Sequence, residues 1–323
     1  MTLLIITIII SLFLAVNMGA SGFSISFTPS YGCGIIKRRT AVLLYSIFVL
    51  LGAVALGSRV VDTLTLKLVK NFDSSISGIF ILLSASITMF SANMLKIPQS
   101  TSFVMVGAFT GAGIYYKSAN FFKVGEIFVV AIIFSFFAFI ITYYLMKIFY
   151  PPKNSNIKLL EKVTNYNGKL KKFIVVTDIY SAFAVGTNNV ANVVAPILIS
   201  GLKLKTSLLL LLVSPFFGIG GLIFGKGVIN TISKEIVPLG EISASVISFV
   251  TSTFVIFASI FGLPTPYVQF TTFAVLGVSA IKDGIRLTSN KFVVKKILLV
   301  WLLVPIATVL LSFLIHKIYF NLF

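Results

Sequence analysis

Forty consecutive residues, Ile242 to Ile281, contain no Asp, Glu, Lys or Arg. The same is true of the 36 residues from Met1 to Ile36 and the 21 from Ser75 to Leu95. One transmembrane helix needs ~20 apolar residues. Runs of this length, recurring along the chain, predict an all-α polytopic membrane protein that crosses the bilayer many times as one unit.

Composition agrees. Of the 323 residues, 58% are hydrophobic and 11% charged, with a mean hydropathy of +1.07. A soluble domain carries about 25% charged residues. No Lys or Arg precedes Lys37, so the N-terminus lacks the charged start of a secretory signal peptide, and the first helix is read as retained. The single cysteine, Cys33, excludes an intramolecular disulfide, and the single histidine, His316, excludes a histidine-rich metal site. No metal and no cofactor is expected. The net charge of +18 is a footprint that nucleic-acid binders share. Basic loops are also what orient helices in a bilayer, and they favour anionic lipid on the cytoplasmic side. The expected partner is therefore the lipid bilayer and not nucleic acid.

Met1–Val16 is a helix-length apolar run that continues into Asn17-Met18-Gly19-Ala20-Ser21-Gly22 and a Ser/Thr-bearing stretch to Gly34. Further spans are predicted near Thr40–Gly57, Ser75–Leu95, Ile97–Tyr116 and Ile127–Met146, then Phe173–Leu202, Thr206–Gly225, Ile242–Phe261, Leu263–Ile281 and Ile297–Ile315. Between the two sets, Tyr150–Lys172 is polar, with Pro151-Pro152 and six lysines against one glutamate. It reads as a cytoplasmic linker, dividing the chain into residues 1–149, 150–172 and 173–323.

The two sets align. Gly19, Pro29 and Gly34 fall on Gly186, Pro196 and Gly201 at an offset of 167. Gly57, Asp62 and Thr63 fall on Gly225, Asn230 and Thr231 at 168, and Pro98 and Gly111 on Pro264 and Gly277 at 166. A nearly constant offset indicates an internal repeat, which in polytopic proteins points to secondary transporters. Charge counting orients it. With five crossings per half and the N-terminus outside, 18 of the 26 Lys and Arg lie inside and 8 outside; six crossings per half give 14 and 12. The positive-inside rule favours the first arrangement, an inverted-topology repeat of about five spans each.

Two Gly-containing polar stretches, Asn17–Ser26 and Gly186–Asn192, occupy matching positions. Carboxamides in hydrocarbon are costly without partners, and matched interruptions of apolar segments point to a midplane site formed by discontinuous helices. Helix–helix adhesion by small and polar residues is the alternative. A second matched pair is Pro98-Gln99-Ser100-Thr101-Ser102 and Pro264-Thr265-Pro266-Tyr267-Val268-Gln269, the latter followed by Thr271 and Thr272. Proline with Ser or Thr at a helix start offers hydroxyls beside unsatisfied N–H groups, a seat for an anion; a plain interhelical turn is the other reading. Of the eight acids, only Asp178 lies clearly inside an apolar segment, where it is a candidate for proton uptake and release or for a structural pairing. Arg59 and Lys226 sit at adjacent repeat positions and are expected to snorkel to the interface. No catalytic triad, P-loop or dinucleotide fingerprint is present, so no enzyme activity is expected.

Gly186-Thr187-Asn188-Asn189-Val190-Ala191-Asn192 resembles the GANDVAN signature of the inorganic phosphate transporter (PiT) family. Members carry it once per half, with a proline–serine–threonine–threonine–histidine motif that Pro98-Gln99-Ser100-Thr101-Ser102 resembles. The signature aspartate is replaced here by Asn189 in the second half and Gly22 in the first. This pattern, with Pro264-Thr265-Pro266 and Gln269, is similar to the sulfate permease branch, associated with cysteine biosynthesis in bacteria. The replacement has a physical reason. Phosphate at neutral pH still carries a proton that a carboxylate can accept, and carboxylates also hold sodium. Sulfate is a fully deprotonated dianion, so its site should present donors and avoid like charge.

The resemblance implies a symporter importing sulfate across a bacterial cytoplasmic membrane, with protons as coupling ions through Asp178 because the motif acids are absent. The expected anion contacts are Asn17, Ser21, Gly22, Ser100, Thr101, Ser102, Asn188, Asn189, Asn192, Gln269, Thr271 and Thr272. Thiosulfate, selenate, molybdate and chromate share the required chemistry. A phosphate transporter of the same family and an anion channel are the alternatives. A homo-oligomer is compatible with the sequence, which does not fix the oligomeric state.

Overall fold

Asn167 to Ile199 form one helix of 33 residues, buried along most of its length, and the rest of the chain is arranged around it. The computed structural model describes residues 2–32, 34–69, 72, 75–94, 99–150, 167–224 and 239–322. In chain order the helices are α1 (Thr2–Gly32), α2 (Arg38–Lys67), α3 (Ile76–Met94), α4 (Thr101–Tyr115), α5 (Phe121–Phe149), α6 (Asn167–Ile199), α7 (Thr206–Phe224), α8 (Glu241–Ile260), α9 (Tyr267–Asp283), α10 (Ile285–Asn290) and α11 (Phe292–Leu322). Among the described residues there is no strand. Among the described residues seven helices are long and apolar enough to cross a membrane.

Side-chain size sorts centre from periphery. On α6, Ala182, Ala184, Gly186, Ala191 and Ala195 let neighbours approach closely. A Cβ at Gly186 would strike the carbonyl of Val49, and one at Gly52 the carbonyl of Phe183, so α2 and α6 touch backbone to backbone. Gly19 of α1 meets Phe217 of α7 in the same way, and Gly220 of α7 meets Val16. The outer helices α5 and α11 are the opposite case. They turn large apolar side chains outward, Ile132 at 68% and Leu302 at 63% exposure, as a lipid-facing surface requires.

The packing partners of the two halves exchange in pairs. α1 packs on α7 as α6 packs on α2; α4 packs on α11 as α9 packs on α5; α3 packs on α1 as α8 packs on α6. Each half thus supplies the same five roles, with α10 as an extra turn before α11.

The third and fourth helices of each half are the two arms of a hairpin. The α3–α4 hairpin has its open end near the C-terminal end of α6, where Gly78 lies against Pro196 and Ser200, and Ser77 Oγ shares a hydrogen bond with Tyr116 at 2.7 Å. The α8–α9 hairpin approaches from the other end of α6, where Tyr180 meets Thr253. Both tips stop at Asn188. The apolar segments expected at Ser75–Leu95, Ile97–Tyr116, Ile242–Phe261 and Leu263–Ile281 thus pair as the arms of two opposed hairpins.

One expectation is corrected. The helices that carry the signature stretches are not discontinuous: α1 runs unbroken through Asn17–Ser26 and α6 through Gly186–Asn192. Several polar side chains there bond back to their own helix without freeing the backbone. Asn17 Nδ2 donates to Phe13 O at 2.9 Å, Ser24 Oγ to Ala20 O and Thr187 Oγ1 to Ala184 O, each one turn back. The glycines serve close packing instead of a break. The helical course is interrupted instead between α8 and α9, at 261–266. The linker residues 151–166, Cys33, Pro98, and Gly225, Lys226, Asn230 and Thr231 of the repeat alignment lie outside the described residues.

Candidate functional site

Asn188 sits on α6 where both hairpin tips arrive, and all its hydrogen-bonding capacity is engaged. Its Oδ1 accepts from Ser102 Oγ at 2.9 Å, from the first hairpin, and from Thr265 N–H at 3.1 Å, from the second. Its Nδ2 donates to Leu263 O and Ser259 Oγ, both at 3.0 Å. A carboxamide has two donor and two acceptor positions, and here four partners use them. The residue expected to touch the anion is thus, in this conformation, the clamp that joins the two tips.

Ser102 is held from both sides, because it also accepts from Asn192 Nδ2 at 3.2 Å. Ser100 caps α4, its Oγ accepting from Phe103 N–H at 3.2 Å. The helix therefore starts at Thr101, and its first N–H groups have no intrahelical acceptor. Its counterpart α9 starts at Tyr267, so in the second motif Pro264 lies in the tip itself, before the helix.

Around this clamp are buried polar atoms with no partner among the described residues: both amide atoms of Gln99, Thr265 Oγ1, Asn189 Oδ1 and Asn192 Oδ1. They come from the first tip, the second tip and α6. Buried polar groups are almost always paired, so a group of exceptions marks a place where water or a polar ligand can bind. The set contains amides and a hydroxyl and no carboxylate. Among the buried described residues Asp178 is the one charged side chain.

The remaining expected contacts divide. Thr101 and Gln269 are buried at the starts of α4 and α9. Thr271 and Thr272 donate to Tyr267 O and Val268 O of their own helix, leaving only acceptor lone pairs free. Asn17 and Ser21 are buried on α1, and Gly22 packs against the Tyr45 hydroxyl and Val185. Gln99 and Thr265 belong to the two matched stretches but not to the expected contacts, and their unpartnered atoms add them to the candidate site. The offset that pairs Pro98 with Pro264 also pairs Gln99 with Thr265.

Asp178 lies two to three turns before the clamp on α6, fully buried. Its Oδ2 accepts from Ser30 N–H at 2.9 Å, in the turn of α1 that also holds Pro29. Among the described residues its Oδ1 has no hydrogen-bond partner within normal geometry, and the hydroxyls of Ser26 and Ser30 have none either. One turn on, Ser181 Oγ meets the Tyr267 hydroxyl, which also meets Ser252 Oγ at 2.7 Å. Tyr267 opens α9 and Ser252 lies on α8, so this group ties both arms of the second hairpin to α6.

An all-helical, multi-pass membrane protein whose buried polar centre lies between two opposed hairpins belongs, as a class, with the solute transporters. The comparisons with known proteins give the family. The chain belongs to the phosphate transporter family, matching it over residues 18–312. It is 32% identical to the sulfate permease CysP of Bacillus subtilis (strain 168), over 97% of this chain and 87% of that one. A relative in Methanocaldococcus jannaschii, MJ0630, provisionally named a phosphate permease, is 23% identical over 96% of each chain. Among solved structures, the sodium-dependent phosphate transporter matches with a TM-score of 0.83 and 22% identity over the whole of both chains, which shows a shared fold. The family read from Gly186–Asn192 stands, and the CysP match supports its sulfate permease branch.

Proposed function

We propose that this protein is a secondary active transporter that carries sulfate into the cell across a bacterial cytoplasmic membrane, by proton symport and alternating access. The observation that carries the reading is the carboxylate-free cradle at Asn188, where two hairpin tips and α6 leave unpartnered amides and a hydroxyl. A dianion that offers only acceptors fits a site rich in donors and poor in negative charge. A carboxamide can turn over to present its NH2 group, so Asn189 and Gln99 can serve an anion, and Asn192 can do so on releasing Ser102. Ser100, Thr101, Ser102, Thr265, Gln269, Asn17, Ser21 and Gly22 complete the proposed lining with Asn188; Thr271 and Thr272 would serve the anion only by turning their hydroxyls away from Tyr267 O and Val268 O. Thiosulfate, selenate, molybdate and chromate would compete.

Asp178 is the proposed coupling group. A buried carboxyl with one free oxygen can take up and release a proton, and it lies one turn from the Ser181–Tyr267–Ser252 group that fixes the second hairpin. Loading Asp178 can thereby bear on whether that hairpin stays seated. The charge distribution supports an N-terminus outside and a linker in the cytoplasm, with the two halves as inverted repeats.

The test is uptake into vesicles reconstituted with the purified protein. Labelled sulfate should accumulate above the external concentration when the outside is acid, and phosphate should compete weakly. Saturable phosphate uptake that sulfate leaves untouched would sink the sulfate reading and support a phosphate transporter. Sulfate that only equilibrates would indicate a channel.

A further inference from the structure

Helix α8 ends against Asn188, so its C-terminus faces the cradle. A helix C-terminus carries roughly half a negative charge, which is the wrong sign beside an anion. Part of that charge is bound within the tip. Gly262, at φ +71°, lets Leu263 N–H reach Ala258 O and its own N–H reach Ser259 O, both at 2.9 Å. This closure satisfies two of the terminal carbonyls. The carbonyl of Ile260 is left over, and Arg59 Nη1 donates to it at 2.7 Å.

Arg59 is placed there by an unusual piece of α2. It lies in the α-helical turn Ser58–Asp62, between two π-helical stretches, Ala53–Gly57 and Thr63–Lys67. Such insertions shift the register of a helix and recur at functional sites. The backbone is drawn in as well: a Cβ on Gly262 would lie 2.5 Å from the Arg59 carbonyl oxygen and 3.0 Å from Thr63 Oγ1. Arg59 is exposed, as a snorkelling arginine would be, and from there its guanidinium reaches the end of a helix.

We propose that Arg59 is a positioning residue for anion binding. Its guanidinium neutralises the negative end of α8 at the rim of the cradle, and its charge, more than its hydrogen bond, sets the affinity. The inference rests on the reading of the cradle as an anion site. It assigns to the second hairpin tip a cation from outside both the signature helices and the hairpins.

The experiment separates charge from hydrogen bonding. The full-length protein in nanodiscs of neutral lipid is titrated calorimetrically with sulfate and with phosphate at fixed ionic strength, as wild type, Arg59→Gln and Arg59→Lys. Gln keeps an N–H donor and loses the charge; Lys keeps the charge. Arg59→Gln should raise the Kd of the bound anion by about tenfold, and Arg59→Lys should stay within about threefold of wild type. A purely structural role would lower the melting temperature of Arg59→Gln and leave its Kd at the wild-type value; that result overturns the proposal. Should Arg59→Gln fail to fold, Arg59→Lys decides: a Kd near wild type bears the proposal out, and a loss of about tenfold in the folded protein overturns it. Wild-type protein that binds neither anion would overturn the cradle reading itself. That outcome is distinct from wild type and Arg59→Gln binding equally well.

Discussion

Ser102 Oγ donates to Asn188 Oδ1 across 2.9 Å, and the same oxygen takes the Thr265 N–H from the opposite hairpin. One side chain on α6 therefore holds two tips that arrive from opposite ends of the bundle. Whatever changes the hydrogen bonding of Asn188 changes both tips together. An anion drawing Ser102 or Thr265 toward itself would do so, which gives the site a direct route to hairpin movement.

The first prediction concerns that clamp. Asn188→Ala strands the Leu263 carbonyl and the Thr265 N–H in a buried place, and each such group costs about 1–3 kcal/mol. A loss of about 3 kcal/mol in stability is expected, read as a lowered melting temperature of the purified protein, together with loss of sulfate binding. Asn188→Asp keeps both acceptors, loses both donors and adds a negative charge. It should weaken sulfate binding by more than about tenfold. An Asn188→Ala protein that melts and binds like wild type would show that the tips are held by something else.

A second prediction follows from the position where the family carries an acid. Asn189 Oδ1 is buried without a partner beside the clamp. Asn189→Asp places an acceptor-only, negatively charged group there. Sulfate cannot donate to it; monohydrogen phosphate can. Sulfate affinity should fall by about tenfold or more while phosphate affinity falls less or rises. Calorimetry with both anions on the same preparation measures the ratio, and equal losses for both would deny Asn189 a part in selectivity.

Much of this was legible from the chain. Uncharged runs identify membrane helices because hydrocarbon excludes charge whatever the tertiary fold. The GTNNVAN stretch stands out because three carboxamides there need partners. The hairpins were not legible, since an apolar arm that turns back at the bundle centre has the same composition as one that crosses. The unbroken course of α1 and α6 was missed for a related reason. Asn17, Ser24 and Thr187 bond back one turn within their helices, so polarity and glycine mark packing there and not a break. Nor does sequence show that Asn188 spends its amide on protein partners, or that Arg59 meets the end of α8; both depend on residues more than seventy positions away.

The packing of α2 on α6 gives a third prediction. A methyl on Gly186 meets the backbone of Val49 and Ala53, neither of which can swing aside as a side-chain end would. Gly186→Ala should therefore force the helices apart and destabilise the protein by about 1–3 kcal/mol, the usual range for overpacking. Gly125, whose Cβ would meet nothing, is the control: Gly125→Ala lies within α5 and should be neutral or slightly stabilising. Thermal unfolding in one detergent measures both, and equal melting temperatures would mean that the α2–α6 contact is looser than this geometry.

The last prediction separates transport from coupling. Asp178→Asn keeps the size of the side chain and an oxygen that can still accept from Ser30 N–H, but it cannot exchange a proton. If Asp178 carries the coupling proton, sulfate accumulation driven by an acid exterior should fall to the level seen without a gradient. Exchange of labelled for unlabelled sulfate at equal pH on both sides should continue near the wild-type rate, because it needs only a working cradle and mobile hairpins. The two assays on the same vesicles divide the outcomes. Loss of both would mean that Asp178 supports the fold through Ser30, and melting temperature would show it. Retention of gradient-driven accumulation would move the coupling group elsewhere. Only loss of accumulation with exchange intact fits a carboxyl that couples protons to a hairpin it does not itself touch, through Ser181 and Tyr267 one turn away.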